Sequence, residues 1–311
     1  MIPRHLVVPG LLAPWPGEEP PPLPALETLL ARGRRRRGGD GFEAVLFELF
    51  EVPPEARGAA AWRWLGRTGA APGGGVVQAH PVHYRADRDR LLLFALPPLP
   101  EDEAAALADT FNQHFGDRAL ALHPGAPWLV QGPQLKDTRF VPLSEVDGRP
   151  LDGALPEGAG GPFWQGVLNE TQMLFFDHPV NQARQARGEL AVNGLWFDHP
   201  GSRLAERTAP LVIEAGKDDL AAGLAARAGE GPPRGRLYCD TRIATARLRQ
   251  DPHAWRRALL ALEERVATWQ QAPEPLVLHP CDGRSFLWTP AARRRFWRRR
   301  RPLAAYFNAP A

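Results

Sequence analysis

Residues 177–201 read DHPVNQARQARGELAVNGLWFDHPG, and their reading decides the fold. Pro179 suits a first helical turn, with Asp177 as its N-cap and Gly188 as its C-terminal stop. LAVNGLWF then has the apolar content of a buried strand, and DHPG reads as the turn at its end. Upstream, FWQGVLNETQMLFF spaces Trp164, Val167, Leu168, Thr171, Leu174 and Phe175 at helical intervals, which predicts a core-facing helix. Downstream, PLVIEAG, RLYCDTR and PLVLHP read as three strands, the last two separated by a helix over about 251–271. Strands alternating with helices predict an α/β fold with a doubly wound, mostly parallel sheet.

The 311 residues are 44% hydrophobic and 23% charged, the composition of a soluble globular chain with a sizeable core. No apolar run approaches the ~18 residues needed to cross a bilayer. HLVV before Pro9-Gly10 is too short for a signal-peptide centre. Cys239 and Cys281 are the two cysteines, too few for a disulfide framework or a four-thiolate zinc site. The expected location is the bacterial cytoplasm, without membrane contact. Lys136 and Lys217 are the two lysines among 38 basic residues, and the rest are arginine. With abundant alanine, glycine and proline, this is the mark of a GC-rich genome and discounts any single arginine as a functional signal.

HLVVPGLLA at 5–13 reads as a strand ending in a Pro-Gly turn. PALETLLARG follows as a helix stopped at Gly33, RRRRGGDG as a charged loop, and FEAVLFELF and residues 55–66 as two more helices. APGGG at 71–75 is a break. VVQAHPVHYRAD and RLLLFAL then read as paired strands. PEDEAAALADTFNQHF is a helix with acids in its first turn, and strands at about 119–123 and 127–131 follow. The expected organisation is a first part of the core at 1–75, a small α+β insert at 76–162 and a second part of the core at 163–311.

In the helix after Pro179, the residues Asn181, Arg184 and Arg187 lie three apart and share a face. Guanidinium forks fit phosphate and carboxylate oxygens, so this face, with Asn193 on the next strand, reads as an anion-recognition surface. The competing reading pairs the arginines with Glu170 or Glu189, or leaves them solvated. His80 and His83 point to opposite faces of a strand. His279, Cys281 and Asp282 form a strand-end cluster without familiar metal spacing. Ser144, Ser202 and Ser285 are the serines, none in a nucleophile elbow. There is no phosphate-cradling glycine motif. Two arginine runs remain, Arg34 to Arg37 and RRRFWRRRR at 293–301. Basic residues interleaved with aromatics can bind nucleic acid. The net charge of +3 argues instead for solvated or acid-paired faces, so nucleic acid is not the expected partner. The reading in which both runs bind nucleic acid fails if the C-terminal run packs back on the core or if binding is undetectable at low salt.

HPVNQARQARGELAVNGLWF resembles a signature of archaeal-type cofactor-independent phosphoglycerate mutases, members of the alkaline phosphatase superfamily. AHPVHYRAD, PEDEAAALADTFNQHF with LHPGAPWLV, and FVPLSEVDGRPLDGALPEG resemble other segments of that family, so the similarity runs over about 76–197. In this it is similar to the proteobacterial RpfE-type group of regulatory or uncharacterised proteins. The resemblance implies an alkaline-phosphatase-like core, two divalent metals and a serine nucleophile. The sequence departs from it where the chemistry would sit. Pro9-Gly10 stands where the family has a metal-binding Asp-Gly, and no serine precedes Ser144. RLYCDTR keeps Asp240 with no histidine before His253, and LVLHPCDG has His279 and Asp282 without the family's Asp-His pair.

Two-metal phosphoryl transfer holds the attacking and leaving oxygens between ions about 4 Å apart, and a phosphoserine route needs the serine. The expectation is therefore a degenerate, non-catalytic relative with no catalytic residue, no metal and no cofactor. Its role would be regulatory or phospho-ligand-binding. Arg85, Asn181, Arg184, Arg187 and Asn193 would contact a phosphorylated small molecule. The alternatives are an active mutase or phosphatase rebuilt from Asp40, Asp198, His199, Asp240, His279 and Asp282, and a nucleic-acid-binding protein using the arginine runs.

Overall fold

The computed structural model describes residues 1–88, 90–133, 135–215 and 218–307. The chain forms two compact units, one of Met1–Pro54 with Ala205–Ala311 and one of Glu55–Leu204. In chain order, the first unit begins with β1 (Arg4–Val7), α1 (Pro24–Arg32), β2 (Arg34–Asp40) and α2 (Phe42–Leu49). The second unit holds α3 (Ala59–Thr68), β3 (Gly75–Asp87), β4 (Arg90–Ala95), α4 (Glu101–Phe115), β5 (Ala121–His123), β6 (Trp128–Gly132), β7 (Thr138–Arg139), α5 (Leu143–Val146), β8 (Glu157–Gly158), α6 (Gly161–Phe176), α7 (Pro179–Ala186) and β9 (Gly194–Gly201). The chain returns to the first unit with β10 (Leu211–Ala215), α8 (Asp219–Ala225), β11 (Gly235–Cys239), α9 (Arg242–Leu248), α10 (Pro252–Gln271), β12 (Leu276–His279) and β13 (Asp282–Trp288).

The first unit is built on a sheet ordered β10-β11-β1-β12-β13-β2. Its first four strands are parallel, and β13 and β2 are antiparallel additions at one edge. Leu6, Leu276, Leu278 and Phe286 join α1, α9 and α10 in one buried cluster. Val7 and Leu237, of opposite parity, are fully buried without belonging to it. α2 and α8 contact each other and also stay out of that cluster. The strands are thus covered on both faces, which is why they read as continuous apolar runs. This is the expected α/β fold with a mostly parallel sheet. No helix among the described residues is long and apolar enough to cross a membrane.

The second unit is antiparallel. The long strand β3 pairs with β4 over its second half, with β6 over its first half and with β9 along its other edge. Helices α4 and α6 supply Phe111, Phe115, Trp164, Val167 and Phe175 to the core over this sheet. Trp164 meets Phe197 of β9 edge to face at 5.0 Å.

The structure differs from the sequence reading at four places. RRRRGGDG is not a loop but β2, because antiparallel bonding to 282–287 of β13 recruits it as an edge strand. Its four arginines stay exposed, so no apolar alternation announced it. DHPG is not a turn beyond the strand; it forms the last four residues of β9. The N-cap of α7 is His178, whose Nδ1 accepts from the amide of Val180. The inserted unit runs over 55–204, wider than the 76–162 read from the sequence. Trp164, Val167, Phe175, Leu195 and Phe197 pack with the β3 sheet, which draws α6 and β9 into this unit.

Candidate functional site

Open α/β sheets place ligands outside the carboxyl ends of their parallel strands. In the first unit those ends carry Val8-Pro9, Asp240 and the His279–Asp282 segment. Register puts Val7, Cys239 and His279 side by side, so their side chains share a face. The His279 ring lies against that of His5, two residues back along the neighbouring strand, with Nε2 3.1 Å from Nδ1 of His5. One of the two nitrogens carries the shared proton. Burial pushes His5 down to about 4 and His279, which also faces His5, down to about 3. Both are neutral at physiological pH and spend a nitrogen on each other. Burial likewise pushes the thiols of Cys239 and Cys281 well above their ordinary range, with nearby carboxylates adding to it. Neither is a thiolate nucleophile.

Asp240 and Asp282 each have an arginine two residues on. Asp240 is buried and accepts from Arg242 Nε at 2.8 Å and Nη2 at 2.6 Å. Asp282 Oδ2 accepts from Arg284 Nε at 2.9 Å and also from Nη2. The sequence carried a signal for this that its reading missed. Cys-Asp-x-Arg occurs twice, at 239–242 and 281–284, each time where a core strand ends. A bidentate guanidinium offers a carboxylate two hydrogen bonds and a full positive charge. It thereby takes up the lone pairs and the charge that a divalent ion would use.

The two divalent metals implied by the resemblance do not fit these residues. Proline at 9 offers no carboxylate, Asp240 and Asp282 are each closed by an arginine, and His279 is engaged with His5. Among the described residues, no group of three or more His, Cys, Asp or Glu side chains is arranged to hold a metal ion. Asp40 pairs in register with Asp282 across β2 and β13. Asp198 and His199 belong to β9 in the other unit.

Beside Arg242, a groove of about 500 Å³ runs along α9 and α10. Arg242, Thr245, Arg249, Asp251 and Arg257 supply its polar lining, three cations against one acid. Alanines at 246, 254, 258 and 261 let the two helices leave this space open.

The sequence-nominated anion face takes shape in the second unit. Asn181 and Arg184 are buried. Asn181 donates to the carbonyls of Phe175 and Val192 and accepts from the amide of Val192. Arg184 donates from Nη1 to Glu103 at 2.7 Å and from Nε to the carbonyl of Leu190 at 2.8 Å. Arg187, half exposed, is held by Glu103 and by Glu189. The structure brings Arg184 and Arg187 together on Glu103 of α4, while Asn181 ties Phe175 to Val192. Asn193 instead clamps β3, accepting from the amide of Tyr84 and donating to its carbonyl. Arg85, the next residue, is exposed and lies 4.7 Å over the ring of Phe94. Glu189 was foreseen as an ion-pair partner; Glu103 was not, because it is eighty residues away in sequence and marked only as a first-turn acid of α4.

Asp198 is another buried carboxylate. An extra residue in β9 relative to β3 makes a bulge next to it, and His199 takes a φ of 46° there. Successive strand residues ordinarily face opposite ways; the bulge turns His199 back. Asp198 Oδ1 thus meets His199 Nδ1 at 2.8 Å and His80 Nε2 at 2.7 Å, and Oδ2 accepts from the amide of Leu143 at 2.9 Å. Burial would raise this carboxyl, but the hydrogen bonds and charges of His199 and His80 outweigh it and hold it well below the usual carboxylate range. With both oxygens engaged, the group ties β3, β9 and the start of α5 together.

No protein-family model matches the chain. Among curated proteins it is similar to the 2,3-bisphosphoglycerate-independent phosphoglycerate mutase of Methanosarcina acetivorans, 25% identical over 191 residues, covering 56% of this chain and 47% of that protein. The Methanosarcina barkeri mutase is 24% identical over 155 residues, 46% of this chain and 38% of that protein. The Methanosarcina mazei mutase is 28% identical over 102 residues, 32% and 26%. The resemblance is to phosphoglycerate mutases. The matched region spans less than half the length of each of these relatives. Among solved structures, a cofactor-independent phosphoglycerate mutase from Thermoplasma acidophilum aligns over 93% of this chain and 90% of its own at 16% identity, TM-score 0.42. A Pyrococcus horikoshii protein aligns over 92% and 87% at 13% identity, TM-score 0.49. The curated relatives support a mutase-like relationship at low identity.

Proposed function

We propose that this phosphoglycerate-mutase-like chain does not carry out metal-dependent phosphoryl transfer and serves instead as a regulatory protein that binds a phosphorylated small molecule. The observation that carries this is the pairing of Asp240 with Arg242 and of Asp282 with Arg284 at the carboxyl edge of the core sheet. Two-metal transfer needs carboxylates free to bridge ions, and these are saturated by guanidinium groups. Binding of an anion needs the opposite, and the groove beside Arg242 offers it. Arg249 and Arg257 are exposed there with Arg242, at the sheet edge where α/β folds take their ligands. Arg184 and Arg187 share Glu103, and in the groove Arg242 is held by Asp240 and Arg257 lies 3.9 Å from Asp251; the groove is preferred because its three guanidinium groups are exposed and face one lining acid.

Titration calorimetry with 3-phosphoglycerate and with unphosphorylated glycerate tests the ligand class. The expected result is binding of the phosphorylated compound alone, weakened at least tenfold in Arg249→Ala/Arg257→Ala. Equal heats for both compounds, or full binding in the double variant, would contradict the reading.

A further inference from the structure

The two arginine runs, separated by more than 250 residues in sequence, meet on one side of the first unit. Arg34 to Arg37 form the exposed edge strand β2. The C-terminal run is laid against the start of that strand. Arg295 donates from Nη1 to the carbonyl of Arg32 at 2.8 Å, and Arg298 from Nη1 to the carbonyl of Gly33 at 3.3 Å. Arg32 returns a bond to the carbonyl of Arg293, and Arg300 pairs with Glu27 of α1 at 3.3 Å.

The run therefore does pack back on the core, through Arg293, Arg295, Arg298 and Arg300, which overturns the reading in which the two whole runs bind nucleic acid. That anchoring divides it into two sets. Arg294, Arg299 and Arg301 are exposed, and so are Phe296 and Trp297, at 76% and 67%. These two rings meet edge to face at 5.4 Å, leaving ring faces open to solvent. A groove of about 460 Å³ runs past Trp297, Arg299, Arg301 and Tyr306.

Large exposed aromatics within a field of arginines have no folding role to explain them. Side chains two apart on a strand repeat every ~6.7 Å on one face, a spacing comparable to that of successive phosphates in an extended single strand. Base stacking on an open ring and guanidinium contacts to the backbone are the two interactions that bind single-stranded nucleic acid without sequence preference. From this juxtaposition we infer that Arg34 and Arg36 of the edge strand, with Phe296, Trp297, Arg299 and Arg301 of the C-terminal segment, form a surface for single-stranded nucleic acid. Bases stack at Trp297 and Phe296, and phosphates run along β2. The surface is independent of the groove beside Arg242.

The test is fluorescence anisotropy of a labelled oligothymidylate titrated with the full chain over a range of salt. Binding at low salt is expected, with log K falling against log salt by ~0.7 per phosphate neutralised. Trp297→Ala is expected to weaken binding about tenfold, within the range of one lost stacked base, and Trp297→Phe to restore most of it. Arg34→Ala/Arg36→Ala should weaken binding and flatten the salt slope. All these positions are exposed, and circular dichroism checks that each variant is folded. Absence of binding at low salt, or binding unchanged in both the tryptophan and the arginine variants, would overturn the inference. So would capture by phosphatidylserine vesicles of a protein that ignores the oligonucleotide, which would assign the surface to membranes.

Discussion

Asn181 has one amide group and uses it to tie the end of α6 to the segment entering β9. Replacing it with alanine leaves the carbonyls of Phe175 and Val192 and the amide of Val192 without these bonds. Each buried orphan costs about 1–3 kcal/mol, so Asn181→Ala should lose more than 2 kcal/mol of unfolding free energy in urea denaturation. A loss under 0.5 kcal/mol would show that the bonds are not made. The His5–His279 pair sets a pH dependence. Their folded pKa values lie below the ordinary histidine value near 6.5, so between about 6.5 and 4 the unfolded chain binds more protons than the folded one. Stability from this pair is therefore complete above pH 6.5 and falls as pH drops through that window. The effect is on the order of a few kcal/mol, and His279→Asn should shrink the slope of stability against pH there. An unchanged slope in the variant would assign the acid sensitivity to other groups.

At the scale of elements, α3 and β9 meet through glycine. A Cβ on Gly201 would sit 2.5 Å from the carbonyl oxygen of Gly58 and 2.8 Å from the amide nitrogen of Ala61, both backbone atoms that cannot step aside. Gly201→Ala should lower the melting temperature by several degrees, as overpacking against backbone costs about 1–3 kcal/mol; an unchanged transition would mean that strand and helix separate freely. The helices α1, α4, α6 and α10 and the core strands were legible in the sequence because apolar periodicity and burial coincide in them. The strand β2 was not, since its pairing partner is 250 residues away and its side chains face water. The bulge in β9 was also hidden. DHPG has turn-forming residues, and only pairing with β3 makes it strand. Among site residues, the guanidinium face of α7 was legible as a face, but its acid, Glu103, was not, because the contact closes only in three dimensions.

For the whole molecule, the resemblance was legible in residues 76–197, and the departures from it were legible at the strand ends. At position 9 the sequence has proline where the resemblance implies a carboxylate. It takes the structure to show that the remaining ones, Asp240 and Asp282, have been given to Arg242 and Arg284. A scaffold that keeps its sheet while closing its carboxylates with arginine is suited to holding anions and unsuited to bridging two cations. The direct test is a coupled assay for interconversion of 3- and 2-phosphoglycerate by purified protein with manganese, cobalt or magnesium, with metal content measured on the same sample. The account predicts no turnover and no stoichiometric metal. Metal-dependent turnover that disappears in Asp240→Ala or His279→Ala would contradict it, and would mean that the arginines move aside to let a working metal site form.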